Sequence, residues 1–213
     1  MSTSLGEAAL LIRPQEAPPE GADGSKVIEG AGQAEMLLAT KDFDRGKQIY
    51  TDLTDQYPTF PNLHLAFGRF LLETHDTDQA IAAFQKELQR DPKNVNSLLE
   101  IAAVRYHVDS PDGLNYAEQA VQLAPQLPFA HYLLGLLLLD TGDVPRAIPE
   151  LETARQGLPR EAGVYFALGN AYAKAGRPHE ATRARATFTR LNQQSKSSVS
   201  DSYPDHPRLP SPQ

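Results

Sequence analysis

His64–Pro92 reads HLAFGRFLLETHDTDQAIAAFQKELQRDP, and His131–Pro159 reads HYLLGLLLLDTGDVPRAIPELETARQGLP. In each, a histidine is followed four positions on by a glycine, then by a polar turn, an alanine, an apolar residue four further, and a closing proline. Pro58, Pro92, Pro125 and Pro159 fall 34, 33 and 34 residues apart, which carries the same register across the chain. A period of this length belongs to stacked helix pairs, because one such pair cannot bury its apolar face alone.

Working outward from those two blocks gives five units near 27–60, 61–94, 95–127, 128–161 and 162–192. The prolines end the second helix of each unit, since proline cannot continue a helix. Ser110 with Pro111 reads as the cap and first residue of one second helix. Asp143 with Pro145, and Pro178, read as first-turn signals of two others. Short connections force each helix antiparallel to the last, and the one-residue deletion falls in a turn near Val108–Pro111. Gly68, Gly135 and Gly169 recur at one position of the first helices. Glycine there costs about 1 kcal/mol against alanine, so its recurrence predicts close helix approach, with Tyr50, Phe84, Leu151 and Phe188 filling gaps and small residues such as Ala80 and Ala147 facing them. The flanks, 1–26 and 193–213, are rich in Pro, Gly and Ser and are predicted to be disordered tails.

The 213 residues carry a net charge of −7, which argues against nucleic acid as a partner. Residues 160–192 reverse this locally, with six basic and two acidic side chains, read as a solvated end surface. There is no cysteine, hence no disulfide framework and no thiol chemistry. The longest apolar run, Leu133–Leu139, is too short to span a membrane, and no leader-like segment opens the chain. A cytoplasmic location is the default expectation, with the periplasm open.

The pattern resembles the tetratricopeptide repeat, whose aromatic, Leu-Gly, Tyr, Ala, Phe, Ala and Pro positions are matched best in units two, four and five. The resemblance implies an all-α, right-handed α-solenoid whose first helices line a concave groove that takes a partner's peptide or helix. Its groove-facing offsets fall on Leu65, Arg69 and Leu72, on Asn96, Leu99, Ala103 and Tyr106, on Phe129, Tyr132, Leu136 and Leu139, and on Phe166, Asn170 and Lys174. The carboxylate clamp of heat-shock co-chaperones is not expected, since Leu65, Leu99 and Phe129 stand where its polar side chains would. Helix 129–140 is apolar nearly all round, so it reads either as groove wall or as buried core.

The chemistry inventory is thin. His64 and His131 occupy the aromatic slot and read as packing residues with one polar edge exposed, and no phosphate loop, nucleophile elbow or paired-histidine motif is present. No catalysis, metal or cofactor is expected. The expected function is a protein-interaction adaptor or assembly scaffold. The alternatives are a spacer or self-associating solenoid, and an accessory arm of a larger enzyme or cell-envelope assembly. Ala8–Ile12 is a short apolar segment on a flexible tether. It could dock in the groove of its own chain or of a second copy, or belong to a tail.

Overall fold

Helix pairs recur along the whole described chain, which in this computed structural model comprises residues 2–11, 22–106, 108 and 110–200. The elements are α1 Ser2–Ala9, α2 Ala22–Ala39, α3 Phe43–Gln56, α4 Leu63–Glu73, α5 Thr77–Arg90, α6 Val95–Tyr106, α7 Ser110–Leu123, α8 Pro128–Asp140, α9 Val144–Gly157, α10 Ala162–Lys174 and α11 Pro178–Ser200, with no strand among the described residues. The dominant packing is α2 on α3, α4 on α5, α6 on α7, α8 on α9 and α10 on α11, with α1 against α2. Two units, Met1–Leu123 and Ala124–Gln213, are each internally compact.

The flanks differ from expectation. α1 and the start of α2 lie within 1–26, and α11 runs past 192 to Ser200. Residues 12–21 and 201–213 are outside the described residues. Leu10 explains the order near the start: it is buried among Val27, Ile28, Ala31 and Leu63, which gives the segment an apolar anchor.

Four of the turns inside pairs close in the same way. Lys41, His75, Gly142 and Gly176 hold left-handed φ values of 63°, 62°, 87° and 71°. After α2, the Asp42 amide donates to the Leu37 carbonyl and the Lys41 amide to Leu38. The same two bonds recur at Asp76 and His75, at Asp143 and Gly142, and at Arg177 and Gly176. This is the Schellman arrangement, which satisfies two orphan carbonyls at a helix end. Asp143 then caps α9 by accepting from the Arg146 amide at 3.3 Å. Ser110 does otherwise: its hydroxyl donates back to the Tyr106 carbonyl at 3.0 Å.

The recurring glycines mark close approach in units two and four. A Cβ on Gly68 would overlap the Phe84 ring, and one on Gly135 would lie 2.6 Å from Leu151 Cγ. In unit three the pair becomes Ala102 and Ala117, both fully buried, so a smaller side chain on one helix accompanies a larger one on the other. In unit five the residue facing Gly169 is Arg185, 3.0 Å from the would-be Cβ. Phe188, expected to fill a gap between neighbouring repeats, instead tilts against Phe166 of its own pair, with centroids 5.3 Å apart.

Candidate functional site

The first helices carry the expected groove offsets, and burial sorts them into two kinds. One offset runs Leu65, Leu99, Tyr132 and Phe166. Leu65 is 0% and Leu99 6% exposed, so neither faces a groove; Leu65 packs in a cluster with Phe84 and Ile101. Tyr132 is half-buried, and its hydroxyl sits where a Cβ on Gly163 would be, which makes it a packing residue between α8 and α10. Phe166, at the end of the series, is 52% exposed. Leu139 is also buried and belongs to the core rather than to a groove wall. Side chains that point at the next pair are covered by it, which the offset alone did not reveal.

The other offset stays half-exposed wherever it occurs: Arg69 and Ala103 in the first unit, Leu136 and Asn170 in the second. Arg69 Nε reaches Glu100 Oε1 at 2.6 Å, tying α4 to α6 across that face. Leu72 and Tyr106 are half-buried and Asn96 is exposed beside them. In the second unit Phe129 is 46% exposed and packs edge-on to Tyr132, centroids 6.3 Å apart. Lys174 Nζ donates to the Leu139 carbonyl at 3.2 Å, so this base holds a helix end rather than standing free. Helix α8 is therefore both things at once: Leu133, Leu134, Leu137 and Leu138 are core, while Phe129 and Leu136 reach the surface.

Of the two aromatic-slot histidines, His131 has both ring nitrogens engaged. His131 is buried, with Nδ1 2.6 Å from Glu150 Oε2 and Nε2 3.0 Å from the Pro125 carbonyl. His64 is likewise buried and hydrogen-bonded to the Pro58 backbone. Its pKa is lowered by burial, against the opposing charge of Glu87, while Lys86 and Arg90 push it further down. Each histidine thus holds the backbone of a proline a few residues before its own helix, Pro58 for His64 and Pro125 for His131.

Two polar clusters were not foreseen. Glu87 is fully buried, and its Oε1 accepts from Arg90 Nη2 at 2.6 Å and from the Asn62 amide at 3.1 Å. Asn94 completes this joint by donating to Asn62 Oδ1 at 2.9 Å and accepting from the Ser97 amide at 3.0 Å. In the second unit a crevice of about 310 Å³ is lined by Glu152, Arg155, Tyr165 and Tyr172 among others. The Tyr172 hydroxyl donates to Glu152, Arg177 stacks on the Tyr172 ring at 4.5 Å, and the phenol is pushed up to about 12, first by burial and then by the carboxylate. Arg155 Nε also holds Glu152, at 2.6 Å. The charges in the crevice answer one another, which suits a structural joint. The sequence signal for both clusters was only scattered Glu and Arg on second helices.

Among the described residues no group of three or more His, Asp or Glu side chains is placed to hold a metal ion. No described helix is long and apolar enough to cross a membrane.

Comparison with known proteins agrees with the helix pairing. Superkiller protein 3 of Schizosaccharomyces pombe is 25% identical over 135 residues, 60% of this chain and 10% of that protein. Cellulose synthase operon protein C of Xanthomonas axonopodis pv. citri is 28% identical over 190 residues, 83% of this chain and 12% of that one. The chain thus spans about a tenth of the length of these curated relatives. Among solved structures, a MamA crystal structure superposes with a TM-score of 0.69 at 19% identity, covering 77% of this chain and 96% of its own. The MamA RS-1 ArsTM double mutant gives 0.73 at 18%, covering 84% and 99%. At such identities the likeness establishes the fold. Family profiles described as tetratricopeptide repeat match residues 37–103, 103–162 and 132–195. With the 34-residue period, the glycine contacts and the repeated turn already on the page, this chain belongs to the tetratricopeptide-repeat family.

Proposed function

We propose that the chain is a non-catalytic adaptor whose first-helix faces hold a peptide or helix of a protein partner. The observation that carries this reading is the offset of Arg69, Ala103, Leu136 and Asn170. It stays half-exposed in all four first helices, while at the neighbouring offset Leu65 and Leu99 are buried, Tyr132 is half-buried and Phe166 alone is open. Phe129 beside Leu136 adds an exposed aromatic of the kind that anchors interfaces. The proposed contact set is Arg69, Leu72, Asn96 and Tyr106 in the first unit, and Phe129, Leu136, Phe166 and Asn170 in the second. Tyr132, Leu65, Leu99, Leu139 and Lys174 support it from behind.

The test is affinity capture from native lysate with the full chain, beside a Phe129→Glu, Leu136→Glu chain shown to be folded by circular dichroism. A protein held by the parent and lost by the variant supports the adaptor. Identical capture by both overturns the assignment of this face and favours a spacer or a self-associating solenoid.

A second reading, an accessory arm of a larger enzyme or envelope assembly, is favoured by the likeness over 83% of this chain to cellulose synthase operon protein C. Co-purification of the native protein with a catalytic subunit would support it, and its absence from every such complex would count against it.

A further inference from the structure

The first-helix face of unit one is already occupied. Stepping back 34 residues places Ile28, Ala31 and Glu35 of α2 where Asn62, Leu65 and Arg69 stand on α4. At the Ile28 offset, Asn62 is half-exposed and Asn96 and Phe129 are exposed, yet Ile28 is buried. The cover comes from residues 2–11. α1 packs along α2, Leu10 is 0% exposed in the cluster with Val27, Ile28 and Ala31, and its carbonyl accepts from Asn62 Nδ2 at 3.0 Å.

The cover is incomplete. A crevice of about 330 Å³ remains between Leu5, Ala8 and Ala9 on one side and Leu38, Ala66 and Phe70 on the other. Its remaining lining is charged: Glu35, Glu73 and Arg69. Arg69 is turned to Glu100 at 2.6 Å, and Glu35 has the Tyr50 hydroxyl at 2.7 Å, so the two carboxylates by the crevice lack an equal positive charge. Burial, and secondarily the charge of Glu73, raise the Glu35 pKa against the lowering effect of the Tyr50 bond. α1 itself has eight residues, and a helix this short is marginal on its own. Leu5 and Leu11 are left more than a third exposed.

We propose that residues 2–11 are a displaceable occupant of this end of the groove, and that the surface beneath accepts a partner's short helix with the same Leu, Ala, Ala, Leu face and a basic side chain toward Glu35 and Glu73. This rests on the adaptor reading and specifies the ligand for one end of it. The contacts of α1 supply the template: an apolar side chain at the Leu10 position in the α2–α4 joint, and a small one at the Ala9 position, which packs against the same cluster.

The test uses the full chain and a Leu10→Asp full chain, with a fluorescein-labelled peptide of residues 2–11 as probe and anisotropy as readout. Release of the tethered segment should let the Leu10→Asp chain bind the peptide at least tenfold more tightly than the parent. An Ala8→Lys peptide, which puts a base at the crevice lined by Glu35 and Glu73, should bind at least threefold more tightly again, with an affinity that falls as salt rises. Equal affinity for both chains, or no binding to a folded Leu10→Asp chain, overturns the proposal, and indifference to Ala8→Lys overturns its charge component.

Should Leu10→Asp fail to fold, hydrogen exchange on the unaltered chain decides. Amides of α1 that open far faster than those of α2 support displacement, and equal protection makes α1 a fixed part of the core. A concentration-dependent dimer that Leu10→Asp turns into a monomer would place the segment in a second copy and overturn occupancy within one chain. If the peptide result fails while capture through Phe129 and Leu136 succeeds, only this occupant is lost. If capture fails while the peptide binds, the adaptor reading of those faces is what falls.

Discussion

A left-handed residue at four of the intra-pair turns sets up a comparison within one molecule. Gly142 and Gly176 adopt this conformation freely, while Lys41 and His75 do so with a Cβ. The steric cost for an L-residue is about 1–2 kcal/mol, and glycine's freer unfolded chain offsets only about 0.4–1 kcal/mol of any gain. Both side chains are exposed, so His75→Gly and Lys41→Gly should each raise the melting temperature by a few degrees in calorimetry. At Gly135 the sign reverses: a leucine would drive into Leu151, and a loss of at least about 1–3 kcal/mol is expected in urea unfolding. His64 supplies a pH dependence. Its folded pKa lies below the ordinary 6.5, so between those values the unfolded state binds more protons and stability rises with pH. The contribution is complete above about 6.5 and is lost as pH falls toward the folded value. Glu35 is shifted in the opposite sense, so the reading must be a difference between chains: His64→Gln should flatten the acid-side fall in melting temperature relative to the parent.

At the scale of elements, α8 and α10 meet through Tyr132, whose hydroxyl lies against Gly163. Tyr132→Ala should therefore cost stability, about 1–2 kcal/mol for a half-buried aromatic and less than a fully buried one would lose. Circular dichroism melts would show it, and a melting temperature equal to the parent's would return Tyr132 to the ligand face. Element boundaries inside the repeats were legible because capping and stop signals are local: Asp143 and the prolines act on their own turn. The flanks were not. α1 owes its place to Leu10 entering a joint made by Val27, Ile28 and Leu63, and a contact spanning about fifty residues leaves no local trace beyond a short apolar run. Phe188 was misplaced for a related reason. It looked like an aromatic filler between neighbouring repeats, but the period puts Arg185 in the register of Phe84 and Leu151, and the phenylalanine packs on Phe166 within its own pair.

For the molecule as a whole, the period alone carried fold class and family, since it reports the one length at which a helix pair can stack on its copies. The candidate face was only half legible. Register says which side chains share an offset but not which of them are covered, so Leu65, Leu99 and Leu139 went inside while Arg69 and Leu136 stayed at the surface. The complementary sizes of Gly68 with Phe84 and Ala102 with Ala117 bear on how such a chain can be shuffled. A recombinant joining α4 to α7 would leave a hole, and one joining α6 to α5 would press a methyl group into a phenyl ring. Whole pairs exchange as cassettes while single helices do not, so crossovers that survive in a library of shuffled repeats should fall after the prolines and avoid the turn within a pair.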